Sequence, residues 1–323
     1  MDDVLKAYNG KKVLITGGAG FIGSHMVEKL LELGARVTVI DIMLRGNKIA
    51  HLKDNRNLSI QEVDVTDTRS LAPLFRGQDY VFHLAAVVGV EETQDEPVQL
   101  LDVEIGGTAE VIRLAAANKV KRFIFASSSE VYGDSDNPMA EEGPFNPKST
   151  YALCKLIGEH YCRAYYKKFG LEFTALRYFN SYGPRQDDRF VMSRFIRRAL
   201  NGQELLIYGD GNQTRDFTFV GDSVHMSLLA GIMDSGINQI FNLGTGRAVS
   251  INRLADLVLD NLEMKSKVRV SHIDYDQRRT REIEVFARLA NVDLAERLLQ
   301  YRPSVDLETG MQRTIDWYLK QQL

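Results

Sequence analysis

Short apolar runs separated by amphipathic stretches recur through the first half of the chain. The runs fall at Val13–Thr16, Val37–Asp41, Leu58–Val63, Tyr80–Leu84, Phe123–Ser127 and Phe173–Arg177. Each is too short for a helix and rich in β-branched or aromatic residues, which predicts buried strands. Helical periodicity is predicted between them, near Ser24–Leu33, Ser70–Phe75, Leu100–Asn118 and Thr150–Phe169. Strands alternating with helices predict the α/β class, with a doubly wound parallel sheet covered on both faces. Ligands of such sheets sit beyond the carboxyl ends of the strands, so the polar residues that follow each run are the candidate site.

The first run breaks into Thr16-Gly17-Gly18-Ala19-Gly20-Phe21-Ile22-Gly23 and then opens a helix. A strand, a glycine-rich turn and a helix N-terminus together make a seat for a pyrophosphate. In this reading Gly17 permits the tight turn, Gly20 lets the backbone approach the phosphates, and Gly23 lets the helix pack close to the strand. Phe21 and Ile22 complete the seat at the helix N-terminus, whose amides and positive dipole end favour an anion. The next run, Arg36–Ile40, ends in Asp41, near the expected spacing for the acid that binds an adenosine ribose. A carboxylate there accepts from the ribose hydroxyls and repels a 2′-phosphate, which favours NAD over NADP. Asp64 and Val65 follow the third run as an adenine contact. Leu84, Ala85 and Ala86 follow the fourth, where small residues let a cofactor lie against the backbone. A glycine-rich turn in an unrelated α/β protein is the plain alternative, and the strand–turn–helix–strand–acid order argues against it.

The fifth run leads into Ser127-Ser128-Ser129-Glu130-Val131-Tyr132-Gly133, and Tyr151-Ala152-Leu153-Cys154-Lys155 follows on a predicted helix. Tyr151 and Lys155 are spaced i, i+4 and share one helix face. A phenol ordinarily titrates near 10 and is a poor base at neutral pH. An adjacent ammonium and a positively charged nicotinamide would favour the phenolate. Lys155 can also hold the nicotinamide ribose, and Ser128 can hydrogen-bond the substrate oxygen. A tyrosine and a lysine four residues apart are otherwise a common solvated helix face.

Composition narrows the class further. The 323 residues carry a formal net charge of -3, which gives no reason to expect nucleic acid as a partner. No apolar run approaches a membrane span, and Met1-Asp2-Asp3 does not open a signal peptide. The two cysteines, Cys154 and Cys162, are too few for a disulfide framework, and a cytoplasmic location is expected. No metal-ligand cluster is evident.

With these motifs in place, the chain resembles the extended short-chain dehydrogenase/reductase family, in its nucleotide-sugar epimerase, dehydratase and decarboxylase branch. The resemblance covers almost the full length and continues through Arg177-Tyr178-Phe179-Asn180-Ser181-Tyr182-Gly183-Pro184-Arg185 and Tyr208-Gly209-Asp210-Gly211-Asn212-Gln213-Thr214-Arg215-Asp216-Phe217. It implies a Rossmann NAD-binding domain over 1–179, to which the chain returns at about 217–233 and 239–246. A smaller α/β substrate-binding lobe is implied from 180–216 plus 247–323. It further implies that Asn180 contacts a nucleotide sugar, that Arg215 clamps its diphosphate, and that Arg279, out of the cluster Arg278, Arg279 and Arg281, assists. Arginine suits that role because its planar fork bonds phosphate in a bidentate manner. Ser128, Arg185, Val191 and Tyr208 are carried over as substrate contacts, and a UDP-sugar is the implied substrate. A homodimer is implied through Leu100–Asn118 and Thr150–Phe169, with burial within one chain as the competing explanation. One departure stands out: the family usually has asparagine before Ile-x-Gly-Thr, and this chain has Glu104.

The implied chemistry is oxidation at C4 of the sugar with Tyr151 as acid/base, giving a transient 4-keto sugar. A 4-epimerase returns the hydride to the other face, a dehydratase eliminates water across C5 and C6, and a decarboxylase loses carbon dioxide from a uronate. Dehydratases of this branch carry an Asp-Glu pair after the hydroxyl residue, and here the first of the two is Ser129. The pair Ser129-Glu130 looks like the decarboxylases, as does Arg288, which falls where they place an arginine for the carboxylate. Tyr151–Lys155, Gly244-Thr245-Gly246 and Arg215-Asp216-Phe217 look more like epimerases, and epimerase is the first reading. A protein that binds NAD without turnover is a remote alternative, because such proteins usually lose the tyrosine, the lysine or the hydroxyl.

Overall fold

A computed structural model describes residues 2–89, 96–275, 280–281 and 284–321. Seven strands form one parallel sheet: β1 Lys12–Thr16, β2 Arg36–Asp41, β3 Leu58–Glu62, β4 Tyr80–His83, β5 Arg122–Ser128, β6 Phe173–Tyr178 and β7 Gln239–Leu243. Their order across the sheet is β3-β2-β1-β4-β5-β6-β7. The direction of winding reverses between β1 and β4, and a crevice at the carboxyl ends opens at such a switch point.

Alternation along each strand feeds two cores. Val13, Ile15, Val39 and Phe82 face one cluster with Met26, Val27 and Leu30 of helix α1 (Phe21–Glu32) and Val224 and Leu228 of α5 (Val220–Ile232). Leu14, Ile40, Val81 and Phe123 face the other, with Val111, Ile112 and Ala115 of α2 (Thr108–Ala117) and Cys162 of α3 (Thr150–Phe169). Apolar runs without polar alternation follow from this burial on both faces.

All six predicted strands form, with boundaries that differ by at most one residue at either end. The helices differ more. α1 begins at Phe21, three residues before the predicted Ser24, because Gly20 already serves as its N-cap. The stretch predicted as one helix over Leu100–Asn118 is divided into Pro97–Leu101, a widened π-helical turn at Asp102–Gly107, and α2. The segment predicted at Ser70–Phe75 is a four-residue α turn, Thr68–Leu71, followed by a 3-10 turn, Ala72–Phe75. α3 matches its predicted bounds. The Ser149 side chain caps it by accepting from Ala152 N, and Gly170 ends it in the left-handed conformation that favours glycine.

Beyond β6 lie α4 (Val191–Leu200), α6 (Ile251–Asn261) and α7 (Leu307–Gln321). A parallel pair, Leu205–Tyr208 with Val270–Ile273, and an antiparallel pair, Thr214–Asp216 with Ala248–Ser250, accompany them. Phe195, Leu254, Val258, Met311 and Ile315 of these helices join the same apolar cluster as α1 and α5. The carboxyl-terminal elements are thus packed onto the sheet through a continuous core. Among the described residues, no helix is long and apolar enough to cross a membrane.

Candidate active site

The glycine turn is built by contacts that a side chain would destroy. Gly17 has φ +73°, and a Cβ there would lie 2.7 Å from Ala85 N. A Cβ at Gly23 would lie 2.2 Å from the Gly17 carbonyl oxygen. Gly18, which the sequence reading gave no role, is equally constrained, because a Cβ would meet Val39 Cγ1 at 2.8 Å. Gly20 differs: the atom nearest its added Cβ is Gly17 O at 3.2 Å. The chain itself presses on Gly20 less, in keeping with a position kept bare for a ligand. No side chain caps α1, so the amides of Phe21, Ile22 and Gly23 have no partner within the helix and are available to an anion.

Asp41 closes the seat from β2. Its Oδ2 accepts from Ala19 N at 3.0 Å and its Oδ1 from Met43 N at 2.7 Å. A carboxylate offers about four lone-pair sites, so acceptor capacity is left for hydroxyls. Asp64 accepts from Thr66 N and Thr66 Oγ1. Val65 is buried beside Gly107, where a Cβ would come within 2.7 Å of Val65 Cγ2. After β4, Leu84 N donates to Thr16 O at 3.0 Å and Ala85 N to Thr16 Oγ1 at 3.2 Å, which draws the Leu84–Ala86 run against the glycine turn. These residues fit a dinucleotide.

His83 lies beneath this run. Its Nδ1 is 2.7 Å from Thr16 Oγ1 and its Nε2 is 3.0 Å from Thr108 Oγ1, tying β1, β4 and α2 together. Burial, aided by the nearby Lys155 charge, pulls its pKa down to about 3, so the ring is neutral at physiological pH.

The reactive groups converge at the ends of β5 and the start of α3. The Ser128 side chain lies near enough to Tyr151 to act on its pKa, and Ser128 Oγ accepts from Glu130 N at 3.2 Å. The expected lowering of the Tyr151 pKa by Lys155 together with an oxidised nicotinamide concerns the cofactor-bound protein, and without the cofactor the balance of charge is different. Burial first, then the Glu104 and Glu130 carboxylates, hold the phenol well above the usual tyrosine range, while the Ser128 side chain and Arg288 oppose them. Lys155 Nζ instead pairs with Glu104 Oε2 at 2.9 Å, and it stands 5.3 Å from the centre of the Tyr151 ring. Glu104 is the residue of this cluster to which sequence reasoning assigned no role; its one signal was the departure from asparagine.

Glu130 Oε2 accepts from Ser149 Oγ at 3.3 Å, and its Oε1 lies 3.6 Å from Arg288 Nη1. Arg288 is buried, and its Nε has no hydrogen-bond partner in the protein. A buried scaffold supports this corner: Glu159 on α3 takes Arg177 Nε at 2.8 Å and Nη2 at 2.6 Å, and it accepts from Ser127 Oγ at 2.6 Å. Arg177 also donates to the Tyr132 hydroxyl, which donates to Asn242 Oδ1.

The residues assigned to the substrate are spread along the carboxyl-terminal elements. Asn180 Oδ1 is buried with no partner in the protein, as a ligand contact would be. Arg215 is not surface charge. It is buried, its Nη1 donates to the Val285 carbonyl at 2.7 Å, and its Nη2 pairs with Glu284. Asp216 beside it accepts from Thr245 N, Gly246 N and Ala290 N, which fixes the Gly244–Gly246 turn. The Tyr208 ring stacks on Tyr275. Val191 opens α4, which has no side-chain cap. Arg185 is turned to α1, with Nη2 on Glu28 at 2.6 Å. Arg279 and Arg278 lie outside the described residues, and Arg281 sits over the Phe286 ring.

A family model described as GDP-mannose 4,6 dehydratase matches residues 14–314. A UDP-N-acetyl-alpha-D-glucosaminuronate decarboxylase of Bacillus cytotoxicus is 37% identical over 319 residues, covering 95% of this chain and 98% of that protein. A putative UDP-glucose 4-epimerase of Methanocaldococcus jannaschii is 36% identical, covering 94% of this chain and 97% of its own length. The structure also aligns with that of a UDP-glucuronic acid 4-epimerase from Bacillus cereus in complex with UDP-glucuronic acid and NAD. The TM-score is 0.89 at 30% identity, covering 97% of this chain and 100% of the other.

Proposed function

The chain belongs to the epimerase, dehydratase and decarboxylase branch of the extended short-chain dehydrogenase/reductases, and from that premise we propose that it is an NAD-dependent 4-epimerase of a UDP-hexose. NAD, when bound, supplies the acceptor and donor of the C4 hydride. Gly17, Gly20, Phe21, Ile22 and Gly23 would hold its pyrophosphate, Asp41 its adenosine ribose, Asp64 and Val65 its adenine, and Leu84–Ala86 and Lys155 its nicotinamide end. Asn180, Val191, Tyr208, Arg215 and Arg279 would hold the UDP-sugar.

The observation that carries the reading is that the Glu130 carboxylate is taken up by Ser149 and Arg288, while Ser128 lies beside Tyr151. Tyr151 takes the proton of the C4 hydroxyl and returns it, and Ser128 orients that oxygen. Epimerisation needs no further acid or base. A dehydratase needs a second acid/base pair, but Ser129 stands at one of its positions, and the other, Glu130, is held by Ser149 and Arg288.

A second reading, decarboxylation of a UDP-uronate, is favoured by Arg288, whose buried guanidinium faces Glu130 and Tyr151. A homodimer would use α3 and the helical segment Pro97–Leu101, where Val98, Leu101, Leu153, Tyr166 and Phe169 are exposed. Both cysteines are buried and unpaired, which suits a cytoplasmic enzyme. Incubation with UDP-glucose, UDP-N-acetylglucosamine and UDP-glucuronate, followed by NMR of the products, tests the assignment. An inverted C4 supports the epimerase. A pentose supports the second reading, and a 4-keto-6-deoxy sugar refutes both.

A further inference from the structure

Glu104 lies inside the π-helical turn Asp102–Gly107, a type of irregularity often found at functional sites. Its two carboxylate oxygens have different partners. Oε1 accepts from Val87 N at 2.8 Å, just beyond the Leu84–Ala86 run, and Oε2 pairs with Lys155 Nζ at 2.9 Å. The side chains of Lys155 and Glu104 are 3% and 1% exposed. A buried pair of this kind is costly to desolvate, and such pairs are weak contributors to stability, so a role other than holding the fold is the better explanation. The pair also fixes where the ammonium sits: Nζ is 5.3 Å from the centres of both the Phe125 and the Tyr151 rings.

We infer that Glu104 is a positioning residue that makes the base conditional on the cofactor. It anchors and neutralises Lys155 in the NAD-free protein, so that Tyr151 keeps its proton until the positive charge of oxidised NAD enters the cleft. The inference rests on the reading of Tyr151 as acid/base. The charged groups around Tyr151 come from four elements: Glu104 from the π-helical turn, Glu130 from the segment after β5, Arg288 from the carboxyl-terminal segment, and Lys155 from α3 itself. His83 and Cys154 are the other titratable neighbours of Lys155. His83 stays neutral, and burial pushes the Cys154 thiol up to about 11, so neither supplies charge near neutrality. Arg288 is shared with Glu130. Glu104 is therefore the carboxylate that balances the lysine, and removing it leaves an uncompensated buried positive charge beside the phenol. The Tyr151–Lys155 dyad then sheds its first proton at lower pH.

The test is a phenolate absorbance titration of wild-type protein against Tyr151→Phe, so that the difference reports Tyr151 alone. In NAD-free wild type the signal is expected above the range of free tyrosine. Saturating NAD is expected to move it down by about one pH unit or more. In Glu104→Gln the NAD-free signal is expected already at the lower position, and Glu104→Asp, which keeps the charge, should stay with wild type. A wild-type signal that NAD leaves unmoved overturns the inference. So does a folded Glu104→Gln that titrates with wild type, or a Glu104→Asp shift equal to that of Glu104→Gln, which would assign the effect to packing. If Glu104→Gln does not fold, Glu104→Asn, which also removes the charge, takes its place in the same comparison with wild type and Glu104→Asp. Product formation plays no part in this readout, so its failure is separable from a failure of the substrate assignment.

Discussion

Gly23→Ala tests the cofactor seat with opposing terms of known sign. Inside an ordinary helix, replacing glycine with alanine gains about 1 kcal/mol. Here the added Cβ would stand 2.2 Å from Gly17 O and 2.7 Å from Gly18 Cα, both backbone atoms. The turn cannot readily yield, because Gly17 N donates to Ile40 O at 2.8 Å and Ala19 N to Asp41 Oδ2 at 3.0 Å. Overpacking of this severity costs up to about 3 kcal/mol, which leaves a net loss of up to about 2 kcal/mol after the helix gain. The displaced amides of the turn and α1 should also weaken NAD binding by at least about tenfold, or about 1.4 kcal/mol. Denaturant unfolding of the NAD-free protein and calorimetric titration with NAD measure the two effects separately. Gly106→Ala is the control: its Cβ would meet nothing within 4 Å, so stability should rise or hold with NAD affinity unchanged. A Gly23→Ala protein as stable as wild type, binding NAD as tightly, would refute the reasoning.

Two further outcomes are expected. His83 titrates near 3 when folded and near 6.5 when unfolded, so between these values the unfolded chain binds more protons and stability falls with decreasing pH. From pH 6.5 to 5 this one residue should remove up to about 2 kcal/mol; unfolding of His83→Gln should show a correspondingly shallower pH slope, and an identical slope would count against the buried neutral ring. Asp41→Ala should relax discrimination against NADP, read as the ratio of NAD to NADP dissociation constants; an unchanged ratio would sink the ribose role of that carboxylate.

The sheet was legible because its strands are buried on both faces, which writes Val13–Thr16 or Phe173–Arg177 as unbroken apolar runs. The convergence of Ser128, Tyr151 and Lys155 was legible for a related reason: strand ends and one helix face place them together by topology alone. Four features were not. The break at Asp102–Gly107 depends on one extra residue in a turn, which apolar periodicity does not register. Gly18 looks interchangeable with its neighbours until Val39 is packed against it. The partner of Lys155 lies far away in sequence, at Glu104, so the charge around Tyr151 could not be summed from spacing. The same holds for Arg177, whose full burial against Glu159 becomes evident once α3 is laid on β6.

The most direct test of the proposed epimerase uses UDP-glucose carrying deuterium at C4, with wild-type enzyme and with Tyr151→Phe. The account predicts UDP-galactose that keeps its deuterium at C4 in the wild-type reaction, and a Tyr151→Phe protein that binds NAD normally but forms no product. Deuterium lost to solvent, or Tyr151→Phe turning over at the wild-type rate, would contradict it.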